Sequence, residues 1–487
     1  MLFNSYIFIF LFLPLTLVGY YGLRHFKQDK PALIYLVIMS LWFYGYNNIY
    51  YLPILMISVC VNHLLAAGMD RFAGEKTRKA LLWGGILWNL GILFIFKYYD
   101  FFVGNMNTAF GWDVTFLNIA LPLGISFYTF QQLSYVVDVY KKECAYYSFL
   151  EYATYVTFFP QLIAGPIVYH SELIPQFRKE ENRKINYTNL SKGIYAFALG
   201  LAKKVLLADT FSKIVTAGYG SISGLNAMST ILVMVCYSLQ IYFDFSGYCD
   251  MALGIGYFFN VELPINFNSP YKAQSIVDFW DRWHMTLTRF FTKYIYIPLG
   301  GSRKGKIRTY VNIMIVFAVS GLWHGANWTF ILWGVLNGIA NVLEKWLGKP
   351  YHRLPKAVKV LITFGFTTFA WSLFRAESIS QAKELWSRIG NGGWNSIYGP
   401  LTDTFNELIE MKLLYRAGFA GVINQVPWLF FILFIILALL ACFFLKNTQE
   451  KIAAMKFSKS EIAMILLCVV WSVVSLSDVS EFLYFNF

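Results

Sequence analysis

Residues 309–343 read TYVNIMIVFAVSGLWHGANWTFILWGVLNGIANVL. The stretch holds no Asp, Glu, Lys or Arg, and one imidazole, His324. A helix needs about 20 apolar residues to cross a hydrocarbon core of about 30 Å. The stretch is therefore long enough for two passes, with its turn near residues 323–327. Basic residues flank it on both sides: Arg303, Lys304, Lys306 and Arg308 before, Lys345, Lys349, Arg353, Lys356 and Lys359 after. Two passes return the chain to the side it left, which is what basic loops at both ends require.

The rest of the chain has the same character. Its 487 residues are 57% hydrophobic and 19% aromatic, and only 14% are charged, against about a quarter in soluble domains. A β-barrel would show short alternating strands in place of long apolar runs. The expected fold is an all-α polytopic membrane protein with about 11–12 transmembrane helices plus re-entrant segments. The net charge of +13 sits in short loops, as topology demands, and does not indicate nucleic acid. Such loops also attract membrane lipid and phosphorylated donors. Cys60, Cys144, Cys236, Cys249, Cys442 and Cys468 show no paired spacing, so neither a disulfide framework nor a metal site is expected. Residues 1–23 lack a basic start and a small-residue cleavage site, and predict a first span.

Loop charge orders the spans. Arg24, Lys27 and Lys30 follow the first span, which predicts an external N-terminus and a cytoplasmic first loop. Uncharged turns near 46–48 and 104–118 then alternate with basic ones at 71–79 and 141–142. The alternation breaks at FLEYATYVTFFPQLIAGPIVYH, residues 149–170, which is apolar yet flanked by basic residues on both sides. Pro160 and the Gly165-Pro166 pair interrupt helix there, so a re-entrant hairpin is expected. Beyond it the chain leaves through 193–217 and returns through 229–259. Three later spans, 358–373, 428–445 and 462–476, are predicted.

Ionisable groups inside apolar blocks are costly and mark chemistry by default. His324 lies between Trp323 and Gly325, with Asn327 shortly after. A neutral imidazole there can take a proton from an attacking hydroxyl and return it to a leaving group. A lone histidine in an apolar helix can equally be a satisfied structural residue. A second block, QIYFDFSGYCDMALG at 240–254, sets Asp244 and Asp250 beside Tyr242, Ser246 and Tyr248. A structural, pocket-forming role is the favoured reading over proton relay or direct catalysis. Between the blocks, residues 267–305 alternate aromatic side chains with Asp278, Asp281, Arg282, Arg289 and Lys293, and include His284. This pattern predicts an amphipathic interfacial or partly buried element. Neither a GxSxG nucleophile elbow nor an HExxH motif occurs.

Six regions follow one another along roughly the first 340 residues: MLFNSYIFIFLFLP, LPLGISFYTFQQLSYVVDVY, FFPQLIAGPIVYH, YFDFSGYCDMALG, FWDRWHMTLTRFF with YIPLGG, and GLWHGANWTFILWG. In this order they resemble the membrane-bound O-acyltransferase family, in its bacterial alginate O-acetyltransferase branch. The resemblance implies tilted helices around a central funnel, with His324 as general base or as the group that holds the acyl carbonyl and acceptor in line. It places a second functional position, filled in the family by His, Asn or Asp, at His284. His284 with Asp281 or Arg282 would line the donor side, and Trp323, Asn327, Tyr242, Asp244, Ser246 and Asp250 the tunnel. No bound cofactor is implied; acetyl-CoA, or an acyl carrier, would be the donor. An extracytoplasmic partner protein would complete acetylation of a polysaccharide, from a bacterial inner membrane. Residues 1–376 would form the core, 377–426 an external polar cap and 427–487 the last spans. D-alanyl transfer to teichoic acid is the alternative within the family. A transporter or flippase using Asp244 and Asp250, and a scaffold for polysaccharide secretion, are alternatives outside it.

Overall fold

The computed structural model describes the chain apart from residues 73, 349, 350, 352, 395, 457, 479–481 and 484–487. Among the described residues the regular structure is helical, with one isolated antiparallel bridge between Phe267 and Trp283. Among the described residues, five helices are long and apolar enough to cross a membrane: Phe8–His25, Tyr51–Arg71, Glu75–Phe110, Ala227–Phe258 and Lys356–Arg375. A sixth is reached if Ile409–Gln425 and Leu429–Phe444, bent by 100°, count as one broken span. Five π-helical turns interrupt or adjoin helices, at Phe8–Phe12, Phe94–Tyr98, Lys203–Ala208, Thr292–Tyr296 and Tyr415–Phe419. The all-α, multi-pass character read from the sequence holds.

The chain forms two compact units. One comprises Met1–Gly200 and Tyr248–Ile265, the other Leu201–Gly247 and Asn266–Leu483. In the first, residues 149–170 are not one helix. Helix Phe149–Thr157 starts at a Ser148 capping box with Glu151, and breaks at Phe158. A single turn, Phe159–Leu162, follows with Pro160 in its first positions, and helix resumes only at His170–Arg178. Residues 152–170 are buried throughout. Side chains take up the broken backbone: Gln161 Nε2 donates to Tyr155 O at 2.7 Å, and the Tyr155 hydroxyl donates to Val168 O at 3.0 Å. Irregular backbone buried in protein is the form such a segment must take at membrane depth.

The second unit is organised by six helices: α1 (Ala227–Phe258, shared with the first unit), α2 (Ile276–Trp280), α3 (Met285–Phe291), α4 (Lys306–His324), α5 (Trp328–Leu347) and α6 (Lys356–Arg375). The stretch 309–343 is the expected pair, α4 and α5. Its turn forms because Gly325 is extended and Asn327 caps α5, accepting from Thr329 N at 3.0 Å. Glycines bring the two helices together. A Cβ on Gly321 would lie 3.2 Å from Gly334 Cα, and one on Gly334 would strike Phe317 O. The α2–α3 segment is more interior than its charge pattern predicts. Phe279, Trp283, Leu287, Phe290 and Phe291 are each no more than 3% exposed, while Asp278 and Arg282 pair at 2.6 Å, half-buried.

Candidate active site around His284 and His324

His284 owes its position to its backbone. It precedes α3 with φ 46° and ψ 49°, a left-handed conformation uncommon for a residue with a Cβ. The turn is pinned by the bridge beside it: Asn268 N donates to Arg282 O at 2.9 Å, and Met285 N to Asn266 O at 3.0 Å. The Asn266 side chain then fixes the ring. Its Oδ1 accepts from Thr286 N at 3.2 Å and from Thr286 Oγ1 at 2.9 Å, and lies 3.1 Å from His284 Nδ1. A backbone amide can only donate, so the Asn266 atom here is the oxygen. His284 Nδ1 therefore carries the proton, and the lone pair of the neutral ring is on Nε2. His284 is 1% exposed, and burial lowers its pKa to about 3, so it is neutral at any ordinary pH.

His324 is the last residue of α4 and is 4% exposed. Trp323, Trp333 and Phe374 surround it at ring-centre distances of 4.8, 5.1 and 5.1 Å. Trp323 also lies 6.1 Å from His284, so one indole touches both imidazoles. The far side of His284 is covered by Phe245 of α1, edge-on at 4.8 Å. Behind both, Trp283, Trp333 and Trp371 pack together at 4.9 and 5.5 Å. The two histidines thus share one dry, aromatic setting, where a developing charge interacts with fixed groups more strongly than in water.

A cavity of about 330 Å³ opens beside this cluster. Trp280, Phe291 and Phe317 give it apolar walls, and Asp281, Thr288 and Lys345 give it polar ones. Trp280 stands edge-on to Trp333 at 5.7 Å, and Trp333 in turn touches His324. Asp281 is exposed, and partial burial together with the Asp278 carboxylate raises its pKa.

The remaining sequence-predicted residues divide. Tyr242 packs on Tyr271 at 5.3 Å and on Trp283 at 6.3 Å, within the aromatic cluster. Ser246, one turn along α1 from Tyr242, is buried. Asp244 lies in a buried ion triad: Lys204 Nζ is 2.8 Å from Asp244 and 2.7 Å from Asp209, and Leu483 N donates to Asp244 at 2.8 Å. That partnership ties three segments of the second unit together. Asp250, further along the same helix, is half-buried and belongs to the first unit. Arg282 is engaged with Asp278 and Asn268 O. Asn327 joins its cap to the chain beyond α6 by donating to Glu377 O at 2.8 Å. Sequence reasoning missed Asn266, Lys204, Trp371 and Phe374. Lys204 alone carried a signal, as a cation inside an apolar helix.

Residues 140–378 match the family model of the membrane-bound O-acyltransferases. The chain is 38% identical to a peptidoglycan O-acetyltransferase of Helicobacter pylori, over 100% of this chain and 98% of that protein. It is 35% identical to a probable alginate O-acetylase of Pseudomonas aeruginosa, over 81% of this chain and 75% of the other. It is 27% identical to a teichoic acid D-alanyltransferase of Bacillus subtilis, over 53% of this chain and 69% of the other. With two neighbouring histidines in an aromatic pocket and relatives that match over so much of its length, this chain belongs to the membrane-bound O-acyltransferase family and is an O-acyltransferase.

Proposed function

We propose that the protein takes an acetyl group from a cytoplasmic thioester, acetyl-CoA, and delivers it to an extracytoplasmic acceptor for O-acetylation of peptidoglycan. The full-length likeness to a peptidoglycan O-acetyltransferase carries the choice of polymer, since it includes the C-terminal spans. In this reading the cavity beside Trp280 receives the thioester arm, with Asp281 and Lys345 at its polar wall. His324 takes the proton of the attacking hydroxyl as the new C–O bond forms and the C–S bond breaks. It then returns that proton to the departing sulfur. His284 presents Nε2 as a hydrogen-bond acceptor that holds the incoming hydroxyl in line. The N-terminus lies outside a bacterial inner membrane, and an extracytoplasmic partner protein passes the group to the glycan. D-alanyl transfer ranks second, because the teichoic acid enzymes match only about half of the chain.

Reconstituted wild type and His324→Ala decide the matter. Proteoliposomes receive labelled acetyl-CoA on one side, with the partner and peptidoglycan fragments on the other. Labelled glycan with wild type and none with the variant supports the proposal. Equal labelling by a well-folded variant removes His324 from the chemistry. Labelling only from a D-alanyl carrier thioester would move the protein to the other branch. Passage of intact acetyl-CoA or glycan without acyl transfer would favour a transporter.

A further inference from the structure

The first unit carries a groove of about 950 Å³ that the acyl-transfer reading does not use. It lies at the basic end of the span Phe8–His25, against residues 180–187. A volume near this size is at the upper end of the range for small-molecule sites, roughly 300–1,000 Å³. Its lining changes character along its length. Leu17 and Val18 of the span contribute apolar surface, and Val18 is 72% exposed. Ile185 and Tyr187 are exposed apolar lining on the opposite side. The other end is charged.

Most of those charges are already matched. Arg24, 3% exposed, donates to the Tyr20 hydroxyl, to Phe177 O and to Asp29. Arg183 pairs with Asp29 at 2.6 Å and Glu180 at 2.9 Å, and Glu181 with Lys179 at 3.4 Å. The carbonyls that end the span are taken as well, Arg24 O by Lys27 N and Leu23 O by Gln28 N. Lys27 and Lys184 remain, both exposed and both lining the groove. Among the described residues, the site therefore offers two ammonium groups outside these ion pairs and, along Leu17 and Val18, exposed or half-exposed apolar side chains.

We propose that this groove is a binding site for one anionic phospholipid. Lys27 and Lys184 would hold its phosphodiester, and an acyl chain would lie along Leu17 and Val18. A soluble phosphorylated molecule matches only half of this surface, because nothing in it would cover Val18 and Ile185. A lipid satisfies both halves, and Leu17 and Val18 belong to a candidate membrane span, whose exposed side chains meet acyl chains. A zwitterionic lipid would leave one positive charge more uncompensated than an anionic one.

The test uses the full-length protein in phosphatidylcholine vesicles holding a minor fraction of phosphatidylglycerol, extracted gently and weighed by native mass spectrometry. Wild type should retain phosphatidylglycerol over phosphatidylcholine by about tenfold, and Lys27→Ser/Lys184→Ser should lose most of that preference. The control Lys383→Ser/Lys412→Ser removes equal charge from exposed sites in the other unit and should keep it. Val18→Ser should weaken retention while leaving the headgroup preference. Equal loss in the control would reduce the effect to net charge and overturn the proposal. So would unchanged retention in the Lys27/Lys184 variant, or equal retention of phosphatidylethanolamine. Displacement of the lipid by glycerol 3-phosphate or by coenzyme A at comparable concentration would show a headgroup-only anion site, and would overturn it too.

Discussion

Replacing His324 by alanine removes an imidazole enclosed by Trp323, Trp333 and Phe374. Acetyl transfer should fall by about 10²–10⁴-fold, the usual contribution of a positioned acid–base group, as read by label transfer from acetyl-CoA. His284 makes a different prediction, through pH. Its folded pKa is depressed, so between the ordinary histidine value of about 6.5 and its folded value of about 3 the unfolded chain binds the extra proton. Its contribution to stability is complete above about pH 6.5 and falls by up to about 1.4 kcal/mol per pH unit below it. Melting temperatures from pH 7 to pH 5 should therefore drop less in His284→Asn than in wild type. An identical slope in the two proteins would contradict a buried, neutral ring. His324 was visible in the sequence because a single imidazole stands out in thirty-five residues with no other charge. Asn266 was not, because its task exists only once Phe267 has paired with Trp283, and no periodicity encodes that pairing.

Between elements, the closeness of α4 and α5 is set by glycine, and two substitutions separate its causes. A Cβ on Gly334 would meet the backbone oxygen of Phe317, which cannot move without the helix. A Cβ on Gly338 would instead lie 2.9 Å from Met314 Sδ, the far part of a flexible side chain. Gly334→Ala should lower stability by more than about 2 kcal/mol, as overpacking does, while Gly338→Ala should stay within about 1 kcal/mol; thermal unfolding in detergent reads both. Equal effects would mean that the interface yields as a whole. The hairpin was legible from the length of the apolar run and the basic residues at its ends, and the break within 149–170 from Pro160 and Gly165. The burial of α2 and α3 was legible only in part, as one of two readings, interfacial or partly buried. Their charges mimic a surface pattern, yet Asp278 and Arg282 satisfy one another while the rings between them turn inward.

At the scale of the molecule, the sequence motifs lie within roughly the first 340 residues and assign the C-terminal region no part in the chemistry. The second unit supplies one. The turn after Leu429–Phe444 grips the segment that leads to His284 in the candidate site: Lys272 Nζ donates to Leu445 O at 2.6 Å and Asn447 Nδ2 to Asn268 Oδ1 at 3.0 Å, while Lys203 Nζ of a separate π-helical turn donates to Thr448 Oγ1 at 3.1 Å. Asn268 is itself bonded to Arg282, next but one to His284. Asn447→Ala should therefore lower the rate of acetyl transfer several-fold, with a loss of stability of about 1 kcal/mol for the hydrogen bond removed. Truncation after Phe444 should abolish transfer although both histidines remain. Full activity of the truncated protein would show that the turn is dispensable. Long-range ties of this kind are invisible to local patterning, because neither partner is unusual in its own neighbourhood.

The left-handed backbone at residue 284 bears on how the gene can change. Asparagine and aspartate are the non-glycine residues that enter this conformation most readily, and each is one base away from a histidine codon. The family resemblance places the same three residues at this position. A single nucleotide change can therefore exchange the basic nitrogen for an amide or a carboxylate while the turn survives. On the role proposed for His284, the chemistry at this position can drift ahead of the fold, and a lineage can exchange that role without first passing through a misfolded ancestor.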